Sequence, residues 1–411
     1  MLSLTEKLAI LADAAKYDAS CASSGGSKRD SLGGRGVGST NGSGICHAYA
    51  PDGRCISLLK ILMTNFCIFD CAYCVNRISS NVRRARFSVD EVVSLTLDFY
   101  KRNYIEGLFL SSGIIRSPND TMEAMARIAR TLRVQHDFRG YIHLKTIPEA
   151  DQALIDEAGR YADRLSINVE LPSAASLSRL APQKRLGEIK KSMGRLRLSI
   201  DGHRDERKKN PKAPVFAPSG QSTQVIVGAD SASDTDILSM SETLYASFGL
   251  RRVYYSAFSP IPDAAQKLPS APPPLMREHR LYQADWLIRN YGFALDEINA
   301  ATPDGMLSLE VDPKLAWALA NRARFPVDVN RAPKEALLRV PGLGARVVER
   351  ILRTRRFRTL RLVDLGRLVQ SLEKVRPFVV AADWRPTALL DQARLREKLI
   401  HAPRQLDLFA A

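Results

Sequence analysis

The chain has 411 residues, 45% of them hydrophobic, enough to bury at least one sizeable core and to divide into two or three domains. No run approaches the roughly eighteen apolar residues that a helix needs to span a bilayer. Lys and Arg outnumber Asp and Glu by 60 to 44, a net charge of +16. This excess favours polyanionic partners, nucleic acid first, with general solubility as the alternative.

The N-terminal stretch MLSLTEKLAILADAAKYDAS sets Leu4, Leu8 and Leu11 at helical intervals, interrupted by Lys7, Asp13 and Lys16. That describes an amphipathic helix without the unbroken apolar core of a signal peptide. The expectation is a soluble cytoplasmic protein with no membrane contact, where thiols stay reduced and clustered cysteines bind metal or do chemistry. Residues 22–45, rich in Gly and Ser, read as a flexible loop, so 1–55 forms an N-terminal helix-and-loop segment. From 56 to 260 short apolar runs alternate with amphipathic stretches. Strands are expected at 56–62, 107–112, 141–145, 164–171, 223–228 and 252–258, with helical patterns at 88–103, 119–135, 149–160 and 234–249. This alternation predicts an α/β domain with a parallel sheet and outer helices, short of the eight strands in a complete barrel. Residues 205–220 read as an exposed loop before the fifth strand. LPSAPPPL at 268–275 opens a linker and 276–291 has a helical pattern, so 261–320 is expected as linker and helical segment. Beyond 321 the strand patterns cease and arginines accumulate. A small all-α domain is expected at 321–385, before a polar tail at 386–411.

FCIFDCAYC at 66–74 puts Cys67, Cys71 and Cys74 on the loop leaving the first predicted strand. In parallel α/β architectures that edge of the sheet binds ligands. Three thiolates are too many for one disulfide and one short of a closed zinc site. On a [4Fe–4S] cube they leave one iron open. Zinc, or an inert group of thiols, is the alternative. The spacing C-x3-C-x2-C, with aromatic Tyr73 just before the third cysteine, resembles the signature of the radical S-adenosylmethionine (SAM) enzymes.

The resemblance implies a partial (β/α)6 TIM-like barrel of the radical SAM type and a [4Fe–4S] cluster on the three cysteines, with Tyr73 beside the cofactor. SAM would chelate the open iron through its amino and carboxylate groups. An electron, drawn from a separate donor, would cleave SAM to methionine and a 5′-deoxyadenosyl radical that abstracts hydrogen from a substrate. The family often carries a Gly-Gly-Glu-like bend after its second strand to receive the cofactor's amino group. This chain has Ser111, Ser112 and Gly113 there, without the acid. On the fourth strand the two-residue period places Ser166, Asn168 and Glu170 on one face. A polar face inside a barrel is costly unless it meets a ligand, so these three are read as contacts to the ribose or methionine moiety; a water-filled barrel end is the alternative. Lys145, Gln224 and Tyr254 are further candidates. Cys21, Cys46 and Cys55 precede the motif at irregular spacing and are either ligands of an auxiliary iron–sulfur cluster or small buried residues.

Residues 327–354, VDVNRAPKEALLRVPGLGARVVERILRT, predict a helix capped by Asn330 and beginning near Pro333, a tight turn at 341–344, and a second helix from Ala345. The segment resembles the helix–hairpin–helix motif of DNA repair and processing proteins. That implies phosphate contact at Gly342, Leu343 and Gly344, through backbone N–H groups starting the second helix, with Arg346 and Arg350 beside them. Arg353, Arg355, Arg356, Arg358 and Arg361 extend the charge. A degenerate second copy is expected at 360–379, with LGRL where the Gly-rich hairpin would stand. A helical domain for protein contacts is the alternative. The terminal Gln405, Leu406, Leu408 and Phe409 lie in a peptide similar to the one that docks bacterial polymerases and repair proteins on the replication sliding clamp.

Stretches such as TNFCIFDCAYCVNR (64–77), GLFLSSGI (107–114) and VYYSAFSP (253–260) resemble a bacterial family of radical SAM proteins named for DNA modification or repair. Genes of that family often neighbour one for a uracil-DNA-glycosylase-like protein. The resemblance implies a radical SAM enzyme acting on DNA. An RNA-modifying radical SAM enzyme and a non-catalytic, metal-containing DNA-binding scaffold are the two other readings.

Overall fold

The computed structural model describes residues 2–15, 45–49, 55–261, 267–387 and 394–400. Cys21, most of the Gly/Ser-rich segment and the clamp-like peptide at 405–409 lie outside them. The chain divides into two compact units, 1–232 with 240–274, and 233–239 with 275–411.

The first unit opens with helix α1 (Leu4–Ala15) and strand β1 (Ile45–Tyr49). Six strands then alternate with helices: β2 (Cys55–Leu62), α2 (Val89–Lys101), β3 (Gly107–Ser111), α3 (Pro118–Val134), β4 (Tyr141–Lys145), α4 (Gln152–Tyr161), β5 (Arg164–Ser166), α5 (Ala174–Leu180), α6 (Leu186–Lys209), β6 (Gln221–Val227), α7 (Asp234–Phe248, whose residues 234–239 belong to the second unit) and β7 (Arg252–Ala257). The seven strands are ordered sequentially, β1 antiparallel to β2 and all others parallel. Among the described residues nothing pairs β7 back to the start, so the barrel is open. The alternating pattern predicted the parallel sheet with outer helices, and the partial six-unit barrel is the one that the resemblance implied.

Local chemistry sets these elements. Ser88 and Glu91 form a reciprocal capping box that starts α2, and Ser117 caps α3 with Pro118 in its first turn. α3 buries Met122, Met125, Ile128, Ala129 and Leu132, one apolar stripe. The strands bury both faces, as parallel strands under helices do: every residue of β3 and of β6 is buried. Lys60, Phe109, His143 and Arg164 stand in one register row across β2 to β5.

The structure departs from two expectations. The fourth predicted strand, 164–171, ends at Ser166, because the chain turns out of the sheet and Glu170 adopts a φ of 64°. Only an isolated bridge between Glu170 and Val225 follows it. Residues 205–209, expected in a loop, finish α6; Arg207, Lys208 and Lys209 suit a helix C-terminus, where cations meet the negative end of the dipole. β1 was not expected at all. No helix of the described residues is long and apolar enough to cross a membrane.

The second unit contains α8 (Leu275–Tyr291), α9 (Leu295–Asn299), α10 (Pro313–Ala320), β8 (Val327–Asp328), α11 (Lys334–Arg339), α12 (Ala345–Thr354), α13 (Leu362–Gly366), α14 (Leu372–Val375) and β9 (Val379–Val380). Residues 275–320 thus share a unit with 321–385. β8 and β9 pair in parallel and close the four short helices between them, around buried Leu337, Leu343, Val348, Ile351, Leu365, Val375 and Phe378. Asn330 is not the cap of α11; Pro333 is. The Asn330 amide instead bonds both backbone groups of Leu360, accepting at 2.8 Å and donating at 3.1 Å.

The turn between α11 and α12 is tightly held. Gly342 has a φ of 81°, and a Cβ there would lie 2.7 Å from Val375 Cγ2, so conformation and space both demand glycine. Buried Lys314 donates to the carbonyls of Leu338 (3.0 Å) and Leu343 (2.6 Å). The Tyr291 hydroxyl accepts the Ala345 N–H at 3.1 Å.

Candidate cluster and cofactor site

The cysteines lie on the loop between β2 and α2. Arg84 gathers that loop by donating to the carbonyls of Asn65, Asn76 (2.8 Å), Arg77 (2.6 Å) and Ser80 (2.9 Å). The Asn65 side chain bonds Arg83 O and Ala85 N, and the Ser79 hydroxyl donates to Asp70 at 2.6 Å. Inside this frame the Phe69 and Asn76 N–H groups point at the sulfurs of Cys67 and Cys74, each 3.4 Å away. The Ala72 N–H reaches Leu180 O at the end of α5 (2.7 Å).

The bend after β3 is locked to the same loop. Gly113 N–H donates to Thr64 O at 2.8 Å, and Ile68 N–H to Ile114 O at 2.9 Å. A Cβ on Gly113 would collide with the Phe66 carbonyl. Its φ is not positive, so close approach of two backbones, not an unusual conformation, is what requires glycine here.

The three cysteines open on a cavity of about 160 Å³ at the C-terminal ends of the strands. Tyr73, Ser111, Ser112, Gly113, Asn168 and Glu170 line it, as do Lys145 and Gln224. Ser166 does not; it is buried at the end of β5, its carbonyl taking the Thr146 N–H at 2.9 Å. Tyr254 is also elsewhere, its hydroxyl accepting from Arg164 at 3.2 Å.

A model of the family described as the radical SAM superfamily matches residues 61–205. That match begins in β2, spans the cysteine loop and ends within α6. Residues 61–205 are a radical SAM superfamily domain. A search of curated proteins found no match. Among solved structures, the [FeFe]-hydrogenase maturase HydG shares 15% identity over 55% of this chain and 48% of its own, with a TM-score of 0.41. HydG from Carboxydothermus hydrogenoformans gives 14%, 55%, 50% and 0.43, and Streptococcus suis SuiB 10%, 56%, 45% and 0.40. The chain spans about half the length of these structures.

The radical SAM domain implies a [4Fe–4S] cluster and SAM, and the residues present fit them. Burial pushes the Cys71 thiol up and the Cys74 thiol up to about 12, so both remain neutral until a metal compensates the thiolate charge. Among the described residues no three His, Cys, Asp or Glu side chains are placed to hold a single metal ion. Sulfurs that share a cavity and receive backbone N–H groups suit separate irons of one cluster.

The cavity of the radical SAM domain also holds unmatched polarity. Glu170 accepts from Lys184 at 2.8 Å, and Asn168 donates to Gln224 at 3.1 Å. Both oxygens of Glu149 and the Ser111 hydroxyl are buried without a hydrogen-bond partner on another residue, and the Tyr73 hydroxyl is directed at the Cys71 sulfur. Native proteins seldom leave such atoms unpaired unless a ligand meets them. Burial raises the Glu149 carboxyl above its ordinary range.

Glu149, Lys184 and Arg84 escaped the sequence analysis. Glu149 had a signal, since it lies just past the third predicted strand on the edge that carries the cysteines. Arg84 had none. Cys46 packs against Leu58 and Phe109; the side chain of Cys55 lies outside the described residues.

Proposed function

We propose that this chain is a radical SAM enzyme whose substrate is DNA. The observation carrying the chemistry is the single cavity lined by three thiols and by buried polar atoms without protein partners. When bound, the cluster and SAM supply a 5′-deoxyadenosyl radical for hydrogen abstraction. The chain's own groups do the rest. Arg84 and Gly113 fix the cysteine loop, and Lys145 and Lys184 present ammonium groups for a carboxylate. Glu149 provides the acid that the Ser111-Ser112-Gly113 bend lacks. Leu62, Ile147 and Ile226 give the cavity an apolar wall that limits water.

The DNA part is supported by the net charge of +16 and by exposed Arg346 and Arg350 beside the glycine turn. Since Tyr291 occupies the Ala345 N–H, phosphate contact there falls to Arg346, Arg350 and the next backbone N–H groups. The 405–409 peptide is proposed to tether the enzyme to the sliding clamp. A uracil-DNA-glycosylase-like protein and an electron donor are proposed as further partners.

Anaerobic reconstitution with iron and sulfide, reduction, and assay for 5′-deoxyadenosine test the enzyme. Deuterium transfer from labelled DNA into that product tests the substrate. Reduced, iron-loaded protein that never cleaves SAM would leave only the scaffold reading. Preference for tRNA over duplex DNA at physiological salt would move the substrate to RNA.

A further inference from the structure

Phe357 is 86% exposed, the most open large apolar side chain among the described residues. It stands three residues beyond α12, but the helical path continues to it. Arg355 N–H bonds Ile351 O, and both Phe357 and Arg358 N–H bond Thr354 O, at 3.0 to 3.2 Å. Steps of four, three and four residues therefore put Arg346, Arg350, Arg353 and Phe357 on one stripe. Val348 and Ile351, fully buried, occupy the opposite face.

The stripe is not committed to the protein's own structure. Arg346, Arg350, Arg353 and Arg356 make no ion pair or side-chain hydrogen bond among the described residues. Arg355, by contrast, holds Ala332 O at 2.6 Å, and Arg358 holds Asp364 at 2.9 Å. Glu349 is the one acid on α12, and it sits between the stripe and the buried face. A row of cations complements a phosphate chain, while the ring at its end does nothing for phosphate. An exposed ring does offer a flat face to a nucleobase.

We infer that Phe357 is a stacking platform for an unpaired nucleobase, so that the second unit grips DNA where a base has left the helix. An intact duplex presents phosphates to the arginines but no free base face to the ring. The inference rests on DNA as the substrate and adds the state in which DNA is held. It accords with chemistry done in a cavity, which cannot reach an atom inside a paired stack.

The test uses the full chain and fluorescence anisotropy at one near-physiological salt concentration. The probes are a perfect duplex, the same duplex with one unpaired base, and the single strand. Wild type is expected to favour the last two. Phe357→Ala should weaken those two by roughly tenfold, leaving the perfect duplex and the salt slope unchanged, while Phe357→Trp retains the preference. Replacing so exposed a side chain should not shift the melting temperature. Equal losses on all three probes, or none on any, overturn the platform. Wild type that binds none of them sinks the DNA reading itself.

Discussion

Lys184 and Glu170 form an ion pair at 2.8 Å in the cavity wall, with their side chains 16% and 8% exposed. Burial is the largest single influence and lowers the lysine pKa, but Glu170 together with Tyr73 and Cys71 holds the ammonium well above its ordinary range. Breaking such a pair strands a charge. Lys184→Met is expected to lower the urea unfolding free energy by roughly 3 kcal/mol, and Glu170→Gln added to it to restore most of that. A double variant no better than the single would contradict the pairing.

Gly113→Ala forces the Phe66 carbonyl to move, at a cost of about 1–3 kcal/mol, and the cysteine loop moves with it. Iron bound per chain after reconstitution should fall clearly while circular dichroism stays near wild type. Full iron loading would show that the contact is compliant.

Glu149→Gln should separate stability from binding. The folded carboxyl titrates above the ordinary 4.5 because of burial. Its stabilising contribution is present below 4.5 and is lost as pH rises through the folded value. At pH 7 the ligand-free Gln variant should therefore be more stable than wild type, by on the order of 1 kcal/mol. Its SAM affinity, measured calorimetrically on iron-loaded protein, should drop about tenfold. A variant less stable and equally tight would remove Glu149 from the site.

Lys314 titrates in the folded protein at about 8, lowered from 10.5 by burial. Between those values the unfolded chain binds more protons, so stability should climb with pH from about 8 to 10.5, by up to roughly 3 kcal/mol. Lys314→Met should abolish that slope in urea denaturation series. A flat wild-type profile would mean that the two carbonyl acceptors and the Tyr291 ring, 4.8 Å away, keep the amine charged.

Arg346→Ala with Arg350→Ala should weaken binding to any duplex and reduce the slope of log affinity against log salt by about 1.8, two phosphates' worth. SAM cleavage without DNA should be untouched. An unchanged slope would place the DNA elsewhere on the chain.

Much of this molecule is written locally. The cysteine spacing, the strand–helix alternation and the glycine turn each depend on residues a few positions apart, and each reappears in three dimensions. What was illegible depends on distant meetings. Ser166, Asn168 and Glu170 keep a period of two, yet the backbone leaves the sheet after Ser166, and only Asn168 and Glu170 reach the cavity. Lys184 matters because Glu170 lies beside it, fourteen residues back. Asn330 has the composition of a cap but is drawn off by Leu360, thirty residues away.

Tyr291 and Lys314 precede residue 321, yet they clasp the turn between α11 and α12 from outside. A fragment cut at the arginine-rich border would lose both clasps and leave the Leu338 and Leu343 carbonyls without their donor. A fragment that keeps this turn intact must therefore carry α8 and α10, and with them residues 233–239, which belong to the same compact unit.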